Sequence, residues 1–280
     1  TSIIDVKKGA AKLGNITNNG SLNITTNASG DQKTIITGNI TNKKGSLNIT
    51  NNGRNTEIQI GGNISQKEGN LTISSDKVNI TNQITIKAGA DEEGADSSTK
   101  SNANLTIKTK ELKLAQDLNI SGFNKAEITA KNDSDLTISK ASGGDGDAKK
   151  VTFDKVKDSK ISANGHKVTL NSEVETSNGN SNAAGDSNGN NAGLTISAKD
   201  VAVNNNITSH KTINISATTG NVTTKEGTTI NATTGSVKVT AKTGDIKGGI
   251  ESKSGGVTLT ATGDTLAVGN ISGNTVTITA

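Results

Sequence analysis

The sequence predicts an all-β solenoid, a parallel β-helix with three short strands per coil and polar loop insertions. Three observations carry that. First, GNITNNGSLNIT (14–25), GNITNKKGSLNIT (38–50) and GNISQKEGNLTIS (62–74) repeat, with Gly14, Gly38 and Gly62 spaced 24 residues apart. Self-similarity at this period marks units that stack on one another. Second, apolar and polar residues alternate within each piece, as in Asn15-Ile16-Thr17 and Leu22-Asn23-Ile24-Thr25. Period two gives a strand with one apolar face and one wet face. Third, Gly, Asn, Ser and Lys fill the gaps between pieces, where the chain must turn.

Each unit holds two such pieces, and a third follows: KTIIT (33–37), TEIQI (56–60) and KVNIT (77–81). Three turns per unit give a triangular coil. Successive coils then pair edge to edge as parallel strands about 4.8 Å apart. A single coil cannot bury its Ile and Leu, whereas a stack can. Outward Asn and Thr at matching positions can form side-chain ladders.

Residues 1–13 read as the tail of a preceding coil, and 14–88 as about three clean coils. AGADEEGADSSTKSNA (88–103) is a first loop insertion. Strand signal resumes over 104–121, 126–130 and 135–139. KASGGDGDAKK (140–150) is a second insertion. Strands return at 150–156 and 167–174, before the longest insertion (176–193). From 194 onward the coil shortens: Val237/Val239, Val257/Leu259 and Val276/Ile278 recur at about 20 residues. The first and third insertions precede NLTI and GLTI, which places them at the corner occupied by Gly20, Gly45 and Gly69 in the clean coils. Insertions at one corner project from one edge, where solenoids often bind partners. The whole of 1–280 reads as a single β-helix. With no helix or charged strand to cap either end, it is expected to be an interior piece of a longer coil.

Composition excludes several classes. Cys is absent, which removes disulfides, thiol catalysis and Cys-based metal sites. The formal charge of +4 comes from scattered Lys and one Arg, Arg54, and the aromatics are two Phe. Nucleic-acid binding asks for a dense basic patch with stacking aromatics, so no nucleic-acid partner is expected. Apolar residues make up only 29%, so a disordered chain is the bland alternative; the regular alternation argues against it.

Asn-x-Ser/Thr recurs at Asn15, Asn19, Asn23, Asn27, Asn39, Asn48, Asn63, Asn70, Asn79, Asn104, Asn119, Asn132, Asn206, Asn214, Asn221, Asn231 and Asn270. An alternating Asn-Ile-Thr strand generates the motif by itself. It also points Asn at solvent, where an attached sugar costs the core nothing. GGDGDA (143–148) half-matches a calcium-binding nonapeptide but has Ala148 where Asp is needed, and DEEGAD (91–96) lacks EF-hand spacing. His166 and His210 read as lone residues on turns, so no metal or cofactor is expected. Asp133/Asp135 and Glu173/Glu175 lie two apart on strand-like pieces, and paired carboxylates are what glycoside cleavage needs. With aromatic stacking nearly absent, they read as solvated acids, and no catalytic residue is assigned.

The wording GNITNKKGSLNIT, GNISQKEGNLTISSDKVNIT and TTKEGTTINATTGSVKVTA closely resembles the high-molecular-weight adhesins of nontypeable Haemophilus, in the filamentous-haemagglutinin-like family of two-partner secretion. The likeness runs through essentially all of the chain. It implies a right-handed parallel β-helix, exported through an outer-membrane transporter partner and held at the bacterial cell surface. It implies attachment to host epithelial cells through glycans or glycoproteins, sialylated glycans foremost. It further implies a cytoplasmic N-glycosyltransferase that places hexoses on the Asn residues named above. The family's secretion motif needs Pro and its anchor needs a Cys pair. Neither residue occurs here, which fits an interior, receptor-contacting segment. The rival readings are a structural stalk with binding elsewhere and a carbohydrate-active enzyme.

Overall fold

The computed structural model describes residues 1–89, 102–141, 149–177 and 193–280. The acidic and glycine-rich motifs at 91–96 and 143–148, and most of the three insertions, lie outside the described residues. What is described is a parallel β-helix. Every named strand pair is parallel, and all described regular structure is strand.

A clean coil runs through three faces in order. Ile16–Asn18 lies on face 1, Leu22–Thr26 on face 2 and Thr34–Ile36 on face 3. Ser2–Val6 and Ala11–Leu13 supply faces 2 and 3 of the coil before it. Face 1 is an 11-stranded sheet, while faces 2 and 3 join into one of 19 strands.

The core is a set of in-register columns. On face 2 the middle inward column reads Ile4, Ile24, Ile49, Ile73, Ile107, Ile128, Ile161, Ile196, Ile215, Val239, Leu259 and Ile278. A β-branched side chain suits the pleated surface and fills the same slot in each coil. Ile24 and Leu47 are fully buried, and Ile16 packs partly buried against the same cluster. Both aromatics, Phe123 and Phe153, lie in that core rather than on the surface.

Coil length varies while the strands of each face stay paired. Leu47 pairs with Leu71 across 24 residues, Leu71 with Leu105 across 34, and Val237 with Val257 across 20. Ala88 ends a face 1 strand and Asn104 opens a face 2 strand; Ser177 and Gly193 do the same. In both places a face 1 strand is followed by a face 2 strand, the corner that holds Gly20 in the first clean coil.

The corner between faces 2 and 3 changes along the axis. Early coils bury a polar side chain there: Thr26, Asn51 and Thr109 are fully enclosed. Each ties down the loop, Thr26 Oγ1 to Thr34 Oγ1 at 2.6 Å, the Gly53 N–H to Asn51 Oδ1 at 3.0 Å, and Thr109 Oγ1 to the Asp76 carbonyl at 3.1 Å. From Asp158 on the corner residue is Ala, with Ala163 above Ala198 and Ala217, Ala241 and Ala261 in line. In four of these coils the strand continues round the bend: Asp158–Leu170, Gly193–Val203, Ile213–Thr224 and Val237–Ile246 span both faces, the first three with a register shift against the next coil. Ala130 and Ala261 occupy the same column yet end their strands at the corner, so alanine permits the continuous strand without imposing it. The sequence reading missed the start of Asp158–Leu170, because Asp158 and Lys160 look like loop.

Candidate functional site

The outer surface is built from columns too. Beside the isoleucine column on face 2 runs an outward one that reads Thr129, Ser162, Ser197, Ser216, Thr240, Thr260 and Thr279, seven hydroxyls one strand spacing apart. On face 1 the backbone N–H groups of Asn39, Asn63 and Thr85 donate to Asn15, Asn39 and Asn63 Oδ1 at 2.8, 2.9 and 2.9 Å. Inside the corner between faces 1 and 2, Asn18, Asn42 and Gln66 form a buried amide ladder (2.7 and 3.1 Å).

All 17 Asn-x-Ser/Thr asparagines lie among the described residues, and none is buried. Asn15, Asn19, Asn39, Asn63, Asn70, Asn132, Asn214, Asn221 and Asn270 are exposed, whereas Asn23, Asn27, Asn48, Asn79, Asn104, Asn119, Asn206 and Asn231 are half-buried on the faces. Asn48 Nδ2 donates to Asn23 Oδ1 at 2.8 Å, and Asn27 Nδ2 to the Val6 carbonyl at 3.5 Å.

The continuation of the Asn15 column forms a surface groove of about 660 Å³. Asn63, Thr85, Asn119 and Thr152 follow one another along its floor. Gln83, Asp117 and Lys150 line one side, Asp154 and Ser177 the other. Asp117 Oδ1 accepts the Lys150 N–H at 3.0 Å, and Ser177 Oγ donates to Asp154 Oδ1 at 2.9 Å. The Lys150 ammonium sits 2.8 Å from Glu175 Oε2, and that hydrogen bond raises its pKa above the ordinary lysine value. Asn119 Oδ1 is buried in the floor with no hydrogen-bond partner. Asn63 and Asn119 carry the Asn-x-Ser/Thr motif and Glu175 belongs to a carboxylate pair, but nothing in the sequence groups them with the others. They converge only because coils of 22, 34 and 33 residues keep register, and unequal spacing hides that from a search for period 24.

A smaller recess of about 210 Å³ opens at the corner between faces 2 and 3, lined by Lys33, Lys77, Lys113, Glu57 and Asp31 among others. Lys33 Nζ lies 2.8 Å from Glu57 Oε1. Burial pushes the Glu57 carboxyl up, but hydrogen bonds from Lys33 and Gln59 and the charges of Lys33 and Lys113 outweigh it and hold the pKa below its usual value. Behind this corner Asp76, only 6% exposed, accepts the Asn55 N–H at 3.0 Å and pairs with Lys131 at 3.2 Å. Its pKa is likewise lowered: burial opposes, the Asn55 N–H and Lys131 prevail.

The carboxylate pairs separate. Glu173 and Glu175 do share the outward side of Glu173–Ser177. Asp133 and Asp135 do not lie on a strand. Asn132 and Asp133 have positive φ (53° and 41°) in the turn before Leu136–Lys140, so the alternation argument does not apply to them. His166 lies within the long strand Asp158–Leu170 at its register shift, with Nδ1 3.7 Å from Asp135 Oδ1, rather than on a free turn. His210 follows Ile207–Ser209 at a corner, where its N–H donates to the Thr176 carbonyl at 3.1 Å. Among the described residues no three His, Asp or Glu side chains converge as metal ligands would.

No protein-family model, curated protein or solved structure matches this chain.

Proposed function

We propose that the chain is a segment of a bacterial surface adhesin: a rigid β-helical rod that attaches to host epithelial cells by binding their glycans. In this reading it resembles the high-molecular-weight adhesins, leaves the cell through an outer-membrane two-partner transporter, and carries hexoses on some of its outward Asn-x-Ser/Thr asparagines, added by a cytoplasmic N-glycosyltransferase. The observation that supports it best is the outer surface itself. Hydroxyl and amide side chains recur in register over the rod, the complement of a ligand whose own surface is hydroxyls. With both Phe in the core, recognition rests on hydrogen bonds rather than stacking, so each contact is weak and attachment depends on many copies.

The rival is a stalk that only spaces a binding region elsewhere. The in-register ladders favour it to the extent that Asn and Thr satisfy one another. Binding of the purified chain to epithelial cells and to a glycan array, with sialylated glycans as the first class screened, separates the two. Saturable attachment supports the adhesin; none on either surface leaves the stalk. Versions trimmed within 88–103 and 176–193 then show whether the shared corner takes part.

A further inference from the structure

We propose that Asn164 is a site of self-modification, where the folded chain turns a neutral carboxamide into a carboxylate without an enzyme. The proposal is independent of the adhesin reading and rests on the corner between faces 2 and 3.

The chemistry needs only Asn followed by Gly. The Gly backbone nitrogen attacks the Asn Cγ, the Cγ–Nδ2 bond breaks, and ammonia leaves. That closes a succinimide ring. Water then opens the ring at one carbonyl or the other and gives aspartate or isoaspartate. No electrons are exchanged, and water is the sole co-reactant. Gly favours the step because no Cβ crowds the attacking nitrogen and its backbone turns freely. A fold suppresses the step wherever it clamps that nitrogen or keeps the carboxamide from folding back onto it. The fold therefore selects which Asn-Gly reacts.

Asn-Gly occurs at Asn19, Asn52, Asn164, Asn178 and Asn188, and the last two lie outside the described residues. The other three differ in how they are held. At Asn52 the backbone is clamped: its N–H donates to the Thr26 carbonyl at 2.9 Å, and the Gly53 N–H donates to Asn51 Oδ1 at 3.0 Å. A Cβ on Gly53 would run into the Ala28 carbonyl, so this turn has no space to rearrange. At Asn19 the following Gly20 is bridged to Lys44, and its carbonyl accepts Asn18 Nδ2 at 2.6 Å.

Asn164 is held by neither device. Pairing with the next coil stops at Ala163 and resumes at Lys167, so Asn164, Gly165 and His166 stand opposite Lys199 alone. Pairing with the coil before stops at Ser162 and resumes at Val168. The three residues form a bulge unpaired on both sides. Asn164 and Gly165 are both exposed. Gly165 has a φ of 71°, and a Cβ there would meet nothing within 4 Å. The flanks are fixed: Ala163 is fully buried, and the Lys167 N–H donates to Asp135 Oδ1 at 3.0 Å. An isoaspartate adds one methylene to the backbone, and a bulge with no ladder to break takes it up. The modified corner then carries one more negative charge.

The test keeps the purified 280-residue chain folded in mildly alkaline buffer at body temperature for weeks. Mass spectrometry of its peptides follows each Asn-Gly separately, and an isoaspartate-specific methyltransferase counts the isoaspartate. Asn164 should convert about tenfold faster than Asn52, whose Gly nitrogen must first leave its hydrogen bond and its packing. It should also outpace Asn19. In denaturant the three rates should converge. Gly165→Asn puts a Cβ beside the attacking nitrogen in a residue that tolerates the left-handed backbone, and should remove most of the conversion at Asn164. Circular dichroism checks that this variant and the converted chain keep the wild-type fold and melt. Conversion at Asn19 or Asn52 as fast as at Asn164 in the folded chain overturns the proposal. So does a lead of Asn164 that persists in denaturant, since flanking sequence and not the bulge would then set it. A converted chain that melts early overturns the claim that the bulge absorbs the product.

Discussion

Gly14, Gly38 and Gly62 mark the repeat in the sequence, and the structure shows that the demand is for space rather than for a left-handed backbone. A Cβ on Gly62 would stand 2.0 Å from the Gly38 carbonyl oxygen, and one on Gly38 would stand 2.3 Å from the Asn15 nitrogen; on Gly14 it meets nothing within 4 Å. The obstacles at Gly38 and Gly62 are backbone of the coil below, which cannot swing aside. Gly62→Ala should therefore cost about 1–3 kcal/mol in a denaturant melt, and Gly14→Ala should be neutral or slightly stabilising. Equal costs at the two positions would mean that the glycines serve turn conformation instead. Asp76 supplies the second test at this scale. Its folded-state pKa is depressed below the ordinary 3.8, so the stability it contributes is full above that value and is lost as pH falls through the folded pKa. Glu57, depressed below 4.5, acts in the same direction. Asp76→Asn leaves Lys131 unpaired and should cost about 2 kcal/mol at neutral pH. That difference should shrink on acidification, because acid protonates the wild-type carboxylate as well. A mutant penalty that stays constant from pH 7 to pH 2 would show that shape, not charge, holds this corner.

At the scale of the strand, the corner between faces 2 and 3 is where a coil either breaks into separate strands, as after Ala130 and Ala261, or runs on as one long strand, as through Ala217. Ala217 is fully buried above Ala241. Ala217→Leu should destabilise by about 1–3 kcal/mol through overpacking, with the loss confined to neighbouring coils, as urea melts would show. A neutral Leu would mean that the bend has room, and that the continuous strand has another cause. This corner also shows what the sequence makes legible. Period, inward column and coil order could be read over 14–87, because Ile, Asn and Gly recur there in the same words. The Ala column is equally regular in ISAKDVAV, ISATTGNV and VTAKTGDI, but small residues at one position are silent about strand continuity until the register is known. The groove was less legible still. Its residues are ordinary Asn, Thr and Asp, and only pairing across coils of unequal length brings them together. Where the reading of Asp133 and Asp135 failed, it assumed that alternation continued through a stretch whose backbone turns left-handed at Asn132 and Asp133.

Over the whole molecule, each coil touches only the coil above and the coil below, so stability is a sum of coil terms and neighbour interfaces rather than one cooperative quantity. The core is continuous in the middle of the chain and thins towards its edges. Ile73, Ile107 and Ile128 are fully buried, whereas in the same column Ile278 is 47% exposed. Every residue of Thr275–Thr279 is exposed, against an alternating buried pattern in Gly256–Ala261 one coil earlier. A strand with only one neighbour has half the interface and leaves one row of backbone groups to water. Amide hydrogen exchange in this 280-residue chain should therefore be graded. Protection should be greatest in the coils that hold Ile73 to Ile196, falling through Leu259 to Ile278 at one end and through Ile24 to Ile4 at the other. The gradient should persist in low denaturant and steepen as the outermost coils open first, since opening an end breaks one interface and opening the middle breaks two. Uniform protection, with all amides exchanging together at the global unfolding rate, would contradict nearest-neighbour stacking. A rod organised by stacking can therefore lose an outer coil and keep its central coils intact.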